Sequence, residues 1–486
     1  MEIADRGAMR WRSWRWRAVL PAIGLTLLAT AASLYVWTPS RYITVMSTIL
    51  PNPGAGVTMD TAFVDLQYVL LKVSCWENGV NVYIKNSCDL FADPMLYSPL
   101  WLRIEFLALD RSWKAPLGIG AGVLFCLSLA VLVPSPRWRD QLIIGLASFS
   151  PVSVYAVERG NIDILIYLLS IAAAIVIATK PRTRFVGYAL LLCGGLLKFY
   201  PVAALVVLMR ERLRVCFAIA AVSAAVIAGF AELYYSELMA ALRNIWSGGP
   251  FSNYIGATIL SSGIKHGALQ PIFSLFVERG WSVNPRKSLI LAYGALVLLM
   301  LSVCAFMVWI ARSREYKDSV AALPPKYGML LQIGAALMVG CFFTGHSVGY
   351  RGIMLLLALP GIVLLSRREA SLRKISRLTV VLILLVMFRI PITGLLVAHN
   401  LRVQNSALAA FIWITFELAW WWIVSFLLAV LTSSIFKSKA LLEARALVQL
   451  VWQRPNQQLP ATGGKLAGVV SDTGTDSVTA DRQASS

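Results

Sequence analysis

Long apolar stretches closed off by short basic connections set the rhythm of this chain. Runs rich in Leu, Val, Ile, Ala and Phe occupy 18–37, 115–134, 140–157, 161–178, 213–233, 288–310, 328–343, 352–366, 378–396 and 408–434. They approach the roughly 20 residues that carry a helix across a bilayer. A further apolar stretch, 185–209, is interrupted by Lys198-Phe199-Tyr200-Pro201 and flanked by arginines at both ends. That arrangement predicts a broken hairpin, two short helices meeting near Tyr200-Pro201. Irregular backbone at that depth is tolerated only where it is buried in protein or lines a cavity. The pattern predicts an all-α polytopic membrane bundle of about twelve spans, with both termini on one side.

Composition sharpens this picture. Of the 486 residues 58% are hydrophobic and 14% charged, against about 25% charged in soluble domains. The net charge of +20 would suggest nucleic acid on a soluble protein. Here the basic residues gather instead in the N-terminus and in the short connections on one side. Arg6, Arg10, Arg12, Arg15 and Arg17 precede the first run. Arg137 and Arg139, then Arg210, Arg212 and Arg214, then Arg312, Arg314 and Lys317 follow later ones. Cytoplasmic loops carry such an excess, so the sequence predicts cytoplasmic termini in a bacterial inner, or plasma, membrane. Most of the surplus then orients the bundle and faces anionic lipid, and nucleic acid is not an expected partner. The first run is about 20 residues long and lacks a clear small-residue cleavage site, unlike a signal peptide. The expected organisation is a basic cytoplasmic N-terminus (1–17), a transmembrane bundle (18–434) and a cytoplasmic tail (435–486). From about residue 454 that tail has the polar composition of disorder.

Two long segments, 38–114 and 234–287, fall on the outer side. The first contains an amphipathic stretch around Phe63–Val73 and a second around Trp101–Leu109, both candidates for outer-face helices. Cys75 and Cys88 share this segment, where an oxidising compartment permits either a disulfide or two packed thiols. The other five cysteines are scattered, and no CxxC pair suggests zinc. Asp89 and Asp93 could share one helical face, but an oxygen site for Mg²⁺ or Ca²⁺ needs more ligands; no metal is expected. Ionisable groups near a bilayer are candidate sites by default. On the outer side these include His266, His346, His399, Asp60, Asp65, Glu158 and Asp163. Glu158 and Arg159 read as an internal ion pair, and Glu417, inside the last span, reads as pairing with a polar group of a neighbouring helix, Arg389 being one candidate.

The order of several short motifs on this outer side resembles the GT-C class of membrane glycosyltransferases, and within it glycosyltransferase family 87. Asp65-Leu66-Gln67-Tyr68 resembles that family's Asp after the first span, with a Tyr three or four residues on. Gly79-Val80-Asn81-Val82-Tyr83 matches a Gly-x-x-x-Tyr element, and Tyr97-Ser98-Pro99-Leu100 a Tyr-Pro-Pro-Leu element with Ser in place of the first Pro. Gly160-Asn161-Ile162-Asp163, Lys198-Phe199-Tyr200-Pro201 and Tyr350-Arg351 resemble later patterns, so the likeness extends over about residues 18–400. It implies a GT-C-type bundle that moves a hexosyl group, mannosyl above all, from a polyprenyl-phosphate sugar to an outer-face glycan or glycolipid. The lipid-linked sugar is the donor substrate, and no cofactor is implied.

The resemblance implies that Asp65 is the base, and a carboxylate within reach of an acceptor hydroxyl suits that task. Asp60 is the alternative base; equally, Asp65 in that place caps the amphipathic helix. Lys198, Arg351, Arg159 and His346 are the candidate ligands of the donor phosphate, to which arginine's planar fork is suited. A lysine such as Lys198 can also simply snorkel to the interface. Tyr68, Tyr83, Tyr97, Asn161, Tyr200 and Tyr350 are expected to position substrate. Two other readings compete: an O-antigen polymerase or ligase using a polyprenyl-diphosphate donor, and a transporter or flippase. A transporter would place its charges near the midplane and show repeat symmetry.

Overall fold

The computed structural model describes residues 2–51, 62–85, 88, 93–179, 182–245, 249–251, 253–275, 285–368 and 370–453. Asp60, Asp89 and the tail from 454 lie outside the described residues. Met1–Leu442 is one compact unit; Glu443–Ser486 is a second, helical through Gln453.

The first unit is almost wholly helical, because backbone groups in hydrocarbon must be satisfied within their own segment. In chain order its first helices are α1 (Glu2–Trp37), α2 (Pro39–Ile49), α3 (Val64–Glu77), α4 (Lys114–Leu132), α5 (Trp138–Ser148) and α6 (Pro151–Glu158). α7 (Ile162–Thr179), α8 (Arg184–Leu197) and α9 (Leu213–Leu233) follow. Among the described residues seven helices are long and apolar enough to cross a membrane, or nine if each bent pair is one span. The chain is an integral membrane protein. Arg184–Leu197, Tyr200–Arg210 and Gly349–Leu365 are apolar but shorter, so not all twelve expected spans are full-length crossings.

Two apolar runs that read as single spans are bent by 48°. Between α5 and α6 the cause is local. Ser150 adopts extended backbone, its hydroxyl accepts from Ser153 N at 3.3 Å, and Pro151 opens the new helix. Proline at a first helical position, preceded by a capping serine, is a start signal inside an otherwise continuous apolar run. The second bend separates Leu372–Met387 from Arg389–Ala398. Arg389 at this break reaches Glu417 at 2.8 Å, with both side chains nearly sealed from solvent. Arg389, a candidate partner in the sequence, is the partner found.

Pro325–Phe343 runs through the middle of the unit and packs against α7, Tyr200–Arg210, Leu355–Leu365 and Ala407–Phe436. By contrast, α9 and Pro285–Arg312 bury few of their apolar side chains within the protein. Such all-round apolar helices are at home against lipid. The hairpin expected at 185–209 is α8 followed by the 3-10 helix Tyr200–Arg210, with the break at Lys198-Phe199. Of the two outer stretches, the first forms α3 and the second the 3-10 helix Pro99–Leu107. Cys75 on α3 is bonded to Cys88, with their Cα atoms 6.0 Å apart. Trp101 Nε1 donates to the Leu197 carbonyl at 3.2 Å, satisfying one of the carbonyls that a helix leaves unpaired at its C-terminus.

Candidate active site

The site is built on the tight connection between α6 and α7. Gly160 there has φ +60°, the left-handed region that favours glycine. Asn161 follows, and its Oδ1 accepts from Asp163 N at 2.9 Å, capping α7. The start of α3 is hydrogen-bonded onto the same turn. Phe63 N donates to the Glu158 carbonyl at 2.7 Å and Asp65 N to the Arg159 carbonyl at 3.0 Å. Asp65 therefore projects over the turn. Its Oδ1 accepts from Arg159 Nε at 2.8 Å and from Arg159 Nη2, and its Oδ2 from Asn161 Nδ2. Three donors on a carboxylate with about four acceptor positions leave one open on Oδ2.

This arrangement corrects two expectations. Asp65 does not cap α3, since it lies inside the first turn and its oxygens go to Arg159 and Asn161. Arg159 pairs with Asp65, not with Glu158, which instead accepts from Tyr42 at 3.4 Å. Neighbours in sequence at a helix end point apart, whereas Asp65 is brought over the guanidinium by the backbone bonds of α3.

Beneath this pair lies a second charged layer. Asp163, fully buried, sits in the first turn of α7, where a helix N-terminus favours an anion. Lys198 sits at the C-terminal end of α8, where a cation is favoured. Lys198 Nζ is 2.9 Å from Asp163 Oδ2 and 3.3 Å from Asn161 Oδ1. Tyr200 donates to Asp163 Oδ1 at 2.8 Å, and Arg351 Nε approaches Oδ2 at 3.6 Å. Arg351 also donates to Ser347 Oγ at 2.5 Å and lies over the Tyr200 ring.

Above both layers opens a cavity of about 240 Å³. Asp65, Tyr68, Tyr97, Arg159, His346, Tyr350 and Arg351 all line it. Two long connections and one short one meet here. The first brings α3 and Tyr97; the second is tied down by a two-residue antiparallel ribbon, β1 (Tyr254–Ile255) with β2 (Ser347–Val348). His346, just before β2, has Nε2 2.9 Å from Thr258 Oγ1. Tyr97 packs edge-on against Tyr68, and Lys198 Nζ lies 5.3 Å from the centre of its ring. Burial, with Asp65 and Asp163 close by, holds the Tyr97 phenol well above its usual range, so it remains a neutral hydroxyl.

Not every candidate is at this cavity. Lys198, Tyr200 and Asn161 lie in the layer below it, and Lys198 is only 6% exposed. Tyr83 is elsewhere: its ring packs on Trp76 and its carbonyl accepts from Asn244 Nδ2 at 2.9 Å, which closes the loop. Asp60 is outside the described residues. Asp93 lines the cavity from non-helical backbone, so the helical face proposed for it with Asp89 does not exist at Asp93. Among the described residues no three His, Cys, Asp or Glu side chains gather as metal ligands. His266 bonds to the Ser262 carbonyl and lines a different cavity, and His399 is exposed. The residue that sequence reasoning undervalued is Asp163. Its signal was an acid two residues beyond a capping Asn, opening an 18-residue apolar helix.

Gly160 is where backbone geometry bears most directly on Asp65. A Cβ added there would stand 3.1 Å from Leu66 Cβ and 3.2 Å from Phe63 Cβ, in a left-handed conformation. Gly160→Ala is expected to cost about 1–2 kcal/mol and to push α3, with Asp65, off the turn. A detergent melting curve measures the first effect, and a parental melting temperature would show that the turn accommodates the methyl group.

No protein-family model matches this chain, and no curated protein matches it. Among solved structures it is similar to ArnT from Cupriavidus metallidurans in the apo state, at 14% identity and a TM-score of 0.30. The aligned part covers 90% of this chain and 81% of that one.

Proposed function

We propose that this protein is a GT-C-type membrane glycosyltransferase that moves a hexosyl group, mannosyl in the first instance, from a polyprenyl-phosphate sugar to a glycan or glycolipid acceptor. The observation that carries the reading is the convergence of Asp65 with Arg159, Arg351, His346 and three tyrosines on one cavity, from chain segments up to 286 residues apart. Asp65, Tyr68, Tyr97, Tyr350 and Arg351 are residues in which the sequence resembles family 87, and Arg159 and His346 join them as ionisable neighbours. The basic connections lie at the other end of the bundle, as the ends of α8, Arg184 and Lys198, illustrate. With those connections in the cytoplasm, the cavity opens on the outer face.

The chemistry follows from the two layers. The acceptor hydroxyl gives its proton to Asp65 Oδ2, and its oxygen bonds to the anomeric carbon. The bond from that carbon to the phosphate oxygen breaks, with the electron pair leaving on the polyprenyl phosphate. A single displacement of this kind inverts the anomeric centre. Arg351 is the cation best placed for the departing phosphate: it lines the cavity, and its contact with Asp163 is long at 3.6 Å. Lys198 acts from below, adding positive charge while it holds Asp163 and Asn161. Preorganised cations aimed at developing charge stabilise it without reorganising. Arg159 fixes the Asp65 carboxylate in place.

Membranes containing the protein, incubated with a panel of radiolabelled polyprenyl-phosphate sugars, test this reading. Labelled product from the mannosyl donor, or from another hexosyl donor, is expected. Product from polyprenyl-diphosphate sugars alone would point to the polymerase or ligase class. No product from any donor would point to transport.

A further inference from the structure

A second cavity, of about 440 Å³, lies at the far end of the bundle. α8, Tyr200–Arg210 and Pro325–Phe343 each have one end beside the Asp65 site and the other at this cavity. The 14 residues of α8, at about 1.5 Å each, put the two roughly 20 Å apart. Its lining is strongly basic: Arg184, Arg210, Lys317, Lys437 and Lys439. Glu211 is the one carboxylate among the described lining residues, and it is already engaged. Its Oε2 is 2.7 Å from Arg184 Nη1, and its Oε1 accepts from Tyr188 at 2.6 Å. Asp318, outside the lining, pairs with Lys437. No lining carboxylate is left over for Arg210, Lys317 and Lys439.

Ser433 is an independent pointer. It lines the cavity, is 2% exposed, and its hydroxyl has no hydrogen-bond partner among the described residues. Arg184 Nε likewise has no hydrogen-bond partner among the described residues, although the Arg184 side chain is 32% exposed. Buried polar groups in native structures nearly always have a partner, so unsatisfied groups in a cationic cavity mark the place of an acceptor.

We propose that this cavity binds a phosphate group, carried by an anionic lipid or free in solution, at the end of the bundle remote from Asp65. Phosphate oxygens accept from a hydroxyl and from guanidinium N–H groups alike, and charge-assisted bonds of this kind are the strong ones. Basic pockets between membrane helices recognise phospholipid head groups by the same chemistry. The site uses none of the residues assigned to sugar transfer, so either proposal can fail without the other.

Native mass spectrometry of the full chain in neutral detergent tests it, with phosphatidylglycerol, phosphatidylcholine and inorganic phosphate as probes. One phosphatidylglycerol should stay bound under conditions that strip phosphatidylcholine. Its displacement by inorganic phosphate would identify the bare phosphate group as sufficient; its retention would assign the site to the lipid. Arg210→Gln with Lys439→Gln should weaken binding about tenfold or more, the scale of losing hydrogen bonds to a charged group. Arg373→Gln, a basic residue outside the lining, should leave it unchanged. If the double variant does not fold, Ser433→Ala keeps every charge and should still weaken retention. Equal retention of the two lipids with no phosphate binding, or equal loss in the Arg373 variant, would overturn the proposal.

Discussion

Asp65→Asn is expected to lower sugar transfer by about 10²–10⁴-fold, the range that a positioned general base supplies. The substitution is nearly isosteric. Its remaining carbonyl oxygen can still accept from Arg159, which holds Oδ1 in the parent. What disappears is the proton acceptor at Oδ2, where the new amide N–H groups would face the donor Asn161 Nδ2 and lose that bond as well. The ion pair with Arg159 goes too, at a cost of roughly 1.5–3 kcal/mol for a hydrogen bond to a charged group. The protein should therefore still accumulate in membranes and melt within a few degrees of the parent. Initial rates at saturating donor, beside a detergent melting curve, measure both. Transfer within tenfold of the parent would remove Asp65 from the chemistry. Transfer lost together with folding would make the carboxylate a strut for Arg159.

The second large effect is expected at Asp163. This carboxylate is fully buried and answers Lys198 at 2.9 Å, Tyr200 at 2.8 Å and Arg351 at 3.6 Å. Asp163→Ala leaves two cations facing each other without their anion. Breaking a buried pair by removing one partner costs about 3–5 kcal/mol, because the remaining charge is uncompensated. A sharp fall in melting temperature and in membrane yield is the expected result. Adding Lys198→Met should restore much of the stability, since replacing a buried pair by apolar groups of similar volume is often neutral or better. Donor use should stay low in that double variant, because the cation behind the proposed phosphate site is gone. No loss from Asp163→Ala, or no recovery in the double variant, would show that the layer is not held by these charges.

Much of this protein was legible along the chain for a simple reason. Helix formation in a bilayer is a local requirement: consecutive apolar residues, basic ends, and a capping residue or proline where the helix restarts. Ser150-Pro151 carried the α5–α6 break in plain view, although the surrounding apolar run read as one span. The deep carboxylate of Glu417 had few candidate partners, and Arg389 was legible as one of them. Asp65, Tyr68, Tyr97, Tyr350 and Arg351 were singled out on their motifs, Arg159 and His346 as ionisable residues beside them, and all seven share a cavity.

Which charge meets which was a different matter. Asp65 and Arg159 are 94 residues apart, and no periodicity relates them. They meet because Gly160 lets the chain turn tightly enough for Phe63 and Asp65 to hydrogen-bond onto the carbonyls of Glu158 and Arg159. Lys198 looked like a group open to a ligand, yet packing of α8 against α7 sets it over Asp163. Tyr83 matched a motif but was drawn into loop closure by Asn244. The sequence by itself determined that this is a membrane bundle of helices with polar residues gathered at one end. Only the tertiary structure decided how those residues pair, because an ion pair depends on ångström-scale approach between distant segments, and apolar runs carry no record of it.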